Sequence, residues 1–231
     1  MTSLLLASAS PARLETLRRA GIDARVQVSG VDEDLTLTEA TRRFGPLEVA
    51  DAVLVLAQAK AQAVTARAEE LELPEDLLVL GCDSLLELDG EPWGKPTGAE
   101  DAVSRWQRMR GRSGVLHTGH WLVDTRAGAG EGGQGTGATI GTTASTTVHF
   151  ADLTDAEIRA YVATGEPLAV AGAFTVDGLG GPFVDRVDGD HHNVVGLSLP
   201  VLRGLLAEVG VTVPDLWRST TSAPDGPSEG S

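Results

Sequence analysis

Apolar and polar positions succeed one another along this chain in two periods, and the sequence of those periods predicts strands and helices in mixed order. Leu4-Leu5-Leu6-Ala7 is a short apolar run that predicts a strand. A polar loop with Ser8 and Ser10 follows, and then a helix opened by Pro11, a residue suited to a first helical turn. Residues 24–29 alternate as a strand and run into an acidic loop, Val31-Asp32-Glu33-Asp34. From about 46 to 71 apolar residues recur at helical spacing with almost no breakers, which predicts the longest helix. Residues 77–82 and 85–88 read as two strands, with Asp83 at the end of the first, and Asp89-Gly90 signals a hairpin turn. A helix over 98–109 and strands over 115–123 and 146–150 come next, the two strands joined by a glycine-dominated linker over 128–141.

Thr154-Asp155-Ala156-Glu157 has the pattern of a capping box and predicts a helix over 155–164. Short strands near Phe174 and Phe183 then lead to Val194-Val195-Gly196-Leu197 and a closing helix from Pro200. Beyond Pro214 the chain is rich in Ser, Thr, Pro, Gly and Asp, so 215–231 is expected to be a disordered tail. Strands and helices alternate without a regular βαβ count. The fold class is therefore α/β: a mixed, twisted sheet covered by helices, one unit over 1–214 with a flexible glycine-rich loop at about 127–142.

Composition narrows the function. A formal net charge of −15 over 231 residues argues against nucleic acid as a partner, because duplex binding needs clustered Lys and Arg. One cysteine, Cys82, excludes an internal disulfide framework and fits a reducing cytoplasm. The N-terminal apolar run is too short for a signal peptide, and no stretch approaches the ~18 apolar residues of a membrane helix.

The candidate chemistry is that of an anion site. The free N–H groups of a helix start face the Ser8–Ser10 loop, the two hydroxyls can donate, and Arg13 can fork onto phosphate oxygens. The alternative is that Ser10 only caps the helix and Arg13 is a solvated charge. Asp83 closes a buried apolar run, so its carboxylate is paired, metal-bound or working as a base. Asp83 and Lys95 bracket a hairpin and can face one cleft, or form a structural ion pair. Lys60 falls on the apolar stripe of Val53, Ala57 and Val64, where it either reaches the site or snorkels past its neighbours. Glu33 can offer oxygen ligands to Mg²⁺, or belong to an ordinary acidic surface loop. His117, His120, His191 and His192 have no convincing zinc spacing, and Cys82 is expected to be a small buried hydrophobe.

Nine pieces stand in one order along nearly the whole chain. They are Ala7-Ser8-Ala9-Ser10-Pro11-Ala12-Arg13, Asp32-Glu33, Gln58-Ala59-Lys60-Ala61, Gly81-Cys82-Asp83-Ser84, Gly94-Lys95-Pro96, Gly111-Arg112, Thr118-Gly119, Ala171-Gly172 and Val195-Gly196-Leu197. In this the chain resembles the Maf family of nucleoside triphosphate pyrophosphatases. The resemblance implies two lobes around a central cleft, a divalent metal cofactor (Mg or Mn), and cleavage of a nucleoside triphosphate to the monophosphate and pyrophosphate. It favours Asp83 as general base, Ser8, Ser10, Arg13, Lys60 and Lys95 as substrate-binding residues, and Glu33 at the metal. Where the branch specialised for thymidine and uridine triphosphates has arginine, threonine and glutamine, this chain has Ala12, Ser84 and Asp177, so these three are candidates for base specificity and the preferred base is left open. A homodimer is the default expectation. The competing function is a nucleotide-binding regulator of cell division that hardly turns over its ligand.

Overall fold

A computed structural model of the protein describes residues 2–74, 76–128 and 135–217. Among these residues seven strands form one mixed sheet in the order β2-β1-β3-β5-β6-β7, with β4 paired to β3 off that path. The strands are β1 (Ser3–Leu6), β2 (Arg25–Val26), β3 (Leu77–Leu88), β4 (Glu91–Trp93), β5 (Ser113–Asp124), β6 (Thr139–Phe150) and β7 (Val184–Asp188). β1 runs parallel to both β2 and β3, and the remaining pairs are antiparallel. The helices are α1 (Pro11–Arg19), α2 (Glu33–Phe44), α3 (Val49–Thr65), α4 (Ala99–Met109), α5 (Asp155–Ala163), α6 (His191–Val195) and α7 (Leu199–Glu208). No helix among the described residues is long and apolar enough to cross a membrane.

The period of two along β3 divides its side chains between two faces, and that division positions the site. Leu77 and Val79 pack with Ala61 and Val64 of α3 on one face. Leu78, Leu80 and Cys82 point to the other, into a core with Leu17 of α1 and Leu202 and Leu206 of α7. Continuing the alternation, Asp83 leaves the strand on the α3 face and Ser84 on the α1/α7 face. Farther along, Leu86 and Leu88 enter a second core around Trp106, whose indole meets Phe150 and Tyr161 edge to face. Two glycines let α3 lie directly on the sheet. A Cβ at Gly81 would stand 2.1 Å from the Ala57 carbonyl oxygen, and one at Gly119 would stand 2.2 Å from that of Val53.

Several elements differ from the sequence expectation. β3 is one unbroken strand: Asp83 and Ser84 pair with Gly119 and Thr118 of β5, so the polar pair sits mid-ladder and not at a strand end. The acidic loop is the start of α2. Asp32 accepts the Leu35 N–H at 3.0 Å as its N-cap, and Glu33 and Asp34 occupy the dipole's positive end. Because only Ala40 of α2 is buried, the helix has almost no apolar stripe to reveal it. Residues 139–141, expected in the glycine-rich loop, begin β6, a strand rich in β-branched threonine. Residues 129–134 of that expected loop lie outside the described residues. Phe174 lies outside the strands, and Phe183 ends a short 3-10 turn just before β7. The tail boundary also moves. Asp215 closes a capping box with Thr212, and Trp217 bridges to Ile22, while 218–231 lie outside the described residues.

Candidate active site

The loop between β1 and α1 is built from its own hydroxyls. Ser8 is buried, and its Oγ accepts from the Ser10 N–H at 3.2 Å and from Arg13 Nη1 at 3.0 Å. Ser10 caps α1, its Oγ accepting from the Arg13 N–H at 3.5 Å. Arg13 is buried as well, and the structure gives most of its donors to the protein: Nε to the Gly196 carbonyl at 2.7 Å, Nη1 also to the Cys82 carbonyl at 2.9 Å, and Nη2 to Ser84 Oγ at 2.9 Å. A guanidinium has five N–H donors, so one remains. A two-pronged fork onto phosphate would need one of these protein bonds to give way, whereas a single N–H can reach a ligand with all of them kept.

On the opposite face of β3, three charged groups meet. Lys60 Nζ donates to Asp83 Oδ1 and lies 2.6 Å from Glu33 Oε1. Lys60 and Asp83 are both buried, whereas Glu33 is half exposed at the first turn of α2. Lys60 therefore does not snorkel to solvent. The close seat of α3 on Gly81, with Ala57 and Ala61 at the contact, carries its ammonium to the carboxylate. Burial raises the Asp83 pKa above the ordinary carboxylate value, and the positive charges of Lys60 and Arg13 oppose it. A carboxyl shifted in that direction is a stronger proton acceptor than an ordinary aspartate. Among the described residues there is no group of three or more His, Cys, Asp and Glu able to hold a metal ion. Glu33 and Asp83 converge on the Lys60 ammonium, and the half-exposed Glu33 can offer an oxygen to Mg²⁺, a cation that is commonly held by one carboxylate with water and substrate oxygens.

The other predicted residues divide. Lys95 is exposed, two residues beyond Trp93, which pairs with Leu86 three positions along β3 from Asp83. Ala12 and Asp177 line one pocket together with His191, His192 and Val195, so two of the three base-specificity candidates are brought together. Ser84 is not among that lining; its hydroxyl lies between Arg13 and Thr118. Cys82 is fully buried, and burial pushes its thiol up to about 12, consistent with an inert core position.

Other residues of this region take their places from pairings that sequence spacing does not reveal. Thr118 stands opposite Ser84 across the β3–β5 ladder, a relation visible only once the register is known. Glu166 holds the segment that carries Asp177, accepting from Thr175 Oγ1 at 2.5 Å, Leu179 N at 2.9 Å and Gly180 N at 3.0 Å. Burial opposes ionisation of Glu166, but those donors prevail and its pKa is lowered. His120 accepts the Ser198 N–H at 2.8 Å and anchors the start of α7.

Comparison with known proteins gives a consistent result. The profile of the family described as Maf-like protein matches residues 3–209. A nucleoside triphosphate pyrophosphatase of Salinispora tropica is 54% identical over 219 residues, covering 95% of this chain and 89% of that protein. Relatives with the same description from Streptomyces coelicolor and Nocardia farcinica are 52% and 51% identical, covering 93% and 94% of this chain and 94% and 98% of their own lengths. Among solved structures, the Staphylococcus aureus Ham1 protein overlaps with a TM-score of 0.34 at 16% identity, over 65% of this chain and 73% of that one.

Proposed function

This chain belongs to the Maf-like protein family, and from that membership we infer that it is a nucleoside triphosphate pyrophosphatase. It hydrolyses a nucleoside triphosphate to the monophosphate and pyrophosphate. The observation that best supports a catalytic role at this site is the buried Asp83–Lys60 pair with Glu33 beside it, at the level of the sheet reached by the Ser8–Ser10 loop. A bridge that only stabilised the fold would need no third, solvent-facing carboxylate.

In this reading Asp83 is the general base. Lys60 takes Oδ1, and Oδ2 accepts a proton from the water whose oxygen bonds to the α-phosphorus. The bond from that phosphorus to the bridging oxygen breaks and pyrophosphate departs with the electron pair. Lys60 and Lys95 offset the charge that grows on the phosphates, and Ser8, Ser10 and the α1 N-terminus orient them. Glu33, with oxygens of the substrate, would hold a divalent cation, Mg²⁺ or Mn²⁺, which when bound neutralises triphosphate charge. Ala12 and Asp177 sit at the pocket proposed to meet the base. The protein is proposed to form a homodimer, supported by the exposed apolar side chains of Val26, Val28, Leu35 and Phe44 and checked by sedimentation. A cytoplasmic location, supported by the single cysteine, is checked by fractionation.

The test is pyrophosphate release from a panel of nucleoside triphosphates with Mg²⁺ or Mn²⁺, wild type against Asp83→Asn. Release by the wild type and a loss of roughly 10²–10⁴-fold in the variant, with nucleotide still bound, is the expected outcome. Binding without release by the wild type would replace the enzyme by the regulator of cell division.

A further inference from the structure

Thr118 belongs to a motif that the hydrolysis as derived above leaves unused, and it lies on the face of the sheet away from Asp83. Its side chain is fully buried. Oγ1 donates to the Asn193 carbonyl at 3.1 Å and lies 2.9 Å from Ser84 Oγ. Counting hydrogens fixes the direction of that second contact. A threonine hydroxyl has one hydrogen, the Asn193 carbonyl can only accept, and so the hydrogen between Thr118 and Ser84 comes from Ser84. Ser84 in turn accepts from Arg13 Nη2. The chain therefore runs one way, from the Arg13 guanidinium through Ser84 and Thr118 to the backbone of α6. Hydrogen bonds aligned in this sense polarise one another in a low-dielectric interior.

We propose that Thr118 is a positioning residue for the hydrolysis: by terminating the Arg13–Ser84 chain on α6 it fixes the guanidinium that clamps the Ser8 loop against the Cys82 carbonyl of β3. The proposal rests on the pyrophosphatase reading. Arg13 bonds to Ser8 on one side and to the peptide that precedes Asp83 on the other. Its orientation thus sets the distance between the loop that orients phosphates and the strand that carries the base. With the Gly196 carbonyl on Nε, every bond but one that Arg13 can make is intramolecular. The guanidinium works as a bracket, and Thr118 holds the bracket's free arm.

The test compares wild type, Thr118→Val, Thr118→Ser, Ser84→Ala and the Thr118→Val/Ser84→Ala double variant. It measures kcat, KM and the Kd of a non-hydrolysable α,β-methylene nucleoside triphosphate. Thr118→Val leaves the Ser84 hydrogen without its acceptor and takes from the Asn193 carbonyl one of its two donors, the Gly196 N–H remaining, and a small misplacement of reacting groups lowers kcat steeply. The expected loss is on the order of ten-fold or more in kcat, with the analogue's Kd changed by less than about two-fold. Thr118→Ser keeps the hydroxyl and restores turnover. Ser84→Ala cuts the same chain, so the double variant falls no further than the worse single one. Should the valine variant fail to fold, Ser84→Ala and Thr118→Ser carry the same two comparisons. Wild-type kcat in Thr118→Val or in Ser84→Ala, losses that multiply in the double variant, or a Kd that rises by the factor lost in kcat/KM each overturn the proposal. A wild type that releases no pyrophosphate overturns the pyrophosphatase reading first, and the two failures are told apart by that control.

Discussion

His120 is the cross-strand partner of Cys82 and has no solvent exposure. Because its Nε2 accepts from Ser198, the neutral ring carries its proton on Nδ1, an atom with no hydrogen-bond partner among the described residues. Burial, reinforced by the nearby charge of Arg13, pushes the pKa from 6.5 down to about 4. Between those values the unfolded chain binds a proton that the folded protein refuses, so stability rises with pH through that window and is lost as pH falls from 6.5 toward 4. The contribution at stake is on the order of 3 kcal/mol. His120→Gln retains an acceptor for Ser198 without a titrating ring. Its urea midpoint is expected to fall less than the wild type's between pH 6.5 and 4.5, and equal slopes would show that His120 carries none of the pH dependence. The sequence already showed that His117 and His120 point to opposite faces, since residues three apart in a strand must. It could not show which face held Arg13.

At the scale of elements, α3 decides whether the site exists. Its helical stripe and the place of Lys60 on it are plain in the spacing of Val53, Ala57 and Val64. What spacing could not reveal is how near the helix lies to the sheet, because that depends on side chains that are missing, at Gly81 and Gly119. Gly81→Ala puts a methyl 2.1 Å from the Ala57 carbonyl, so the helix must lift and Lys60 must retreat from Asp83. The expected result is a loss of roughly 1–3 kcal/mol in chemical denaturation together with a fall in turnover, and a variant with wild-type values of both would refute the account. The other contributor to the charge cluster, α2, escaped the sequence because a helix with one buried residue has no stripe. Its acidic first turn reads as a loop, so the sequence marks Glu33 by its chemistry and not by its setting.

For the whole molecule, order of strands was less legible than their number. Hydrophobic runs identify strands, but the neighbours of β3 follow from pairing over long separations, which no local pattern encodes. The same pairing turned Asp83, expected at a strand end, into a residue in the middle of a twelve-residue strand flanked by β1 and β5. That location has a consequence for motion. The amide hydrogens around Asp83 lie in the long β3–β5 ladder, and they are expected to exchange with solvent deuterium only when the entire protein opens. Glu33, on a helix with little buried surface, and Lys95, at an exposed position, are expected to lie in parts that open far more often. Deuterium labelling followed by mass spectrometry should find protection highest in peptides spanning 78–84 and low over 33–44, and comparable protection in both would contradict this picture. On the proposed reading, a base held in that ladder stays still while Glu33 and Lys95 around it move, so nucleotide can enter and pyrophosphate leave without disturbing the one atom that must not move.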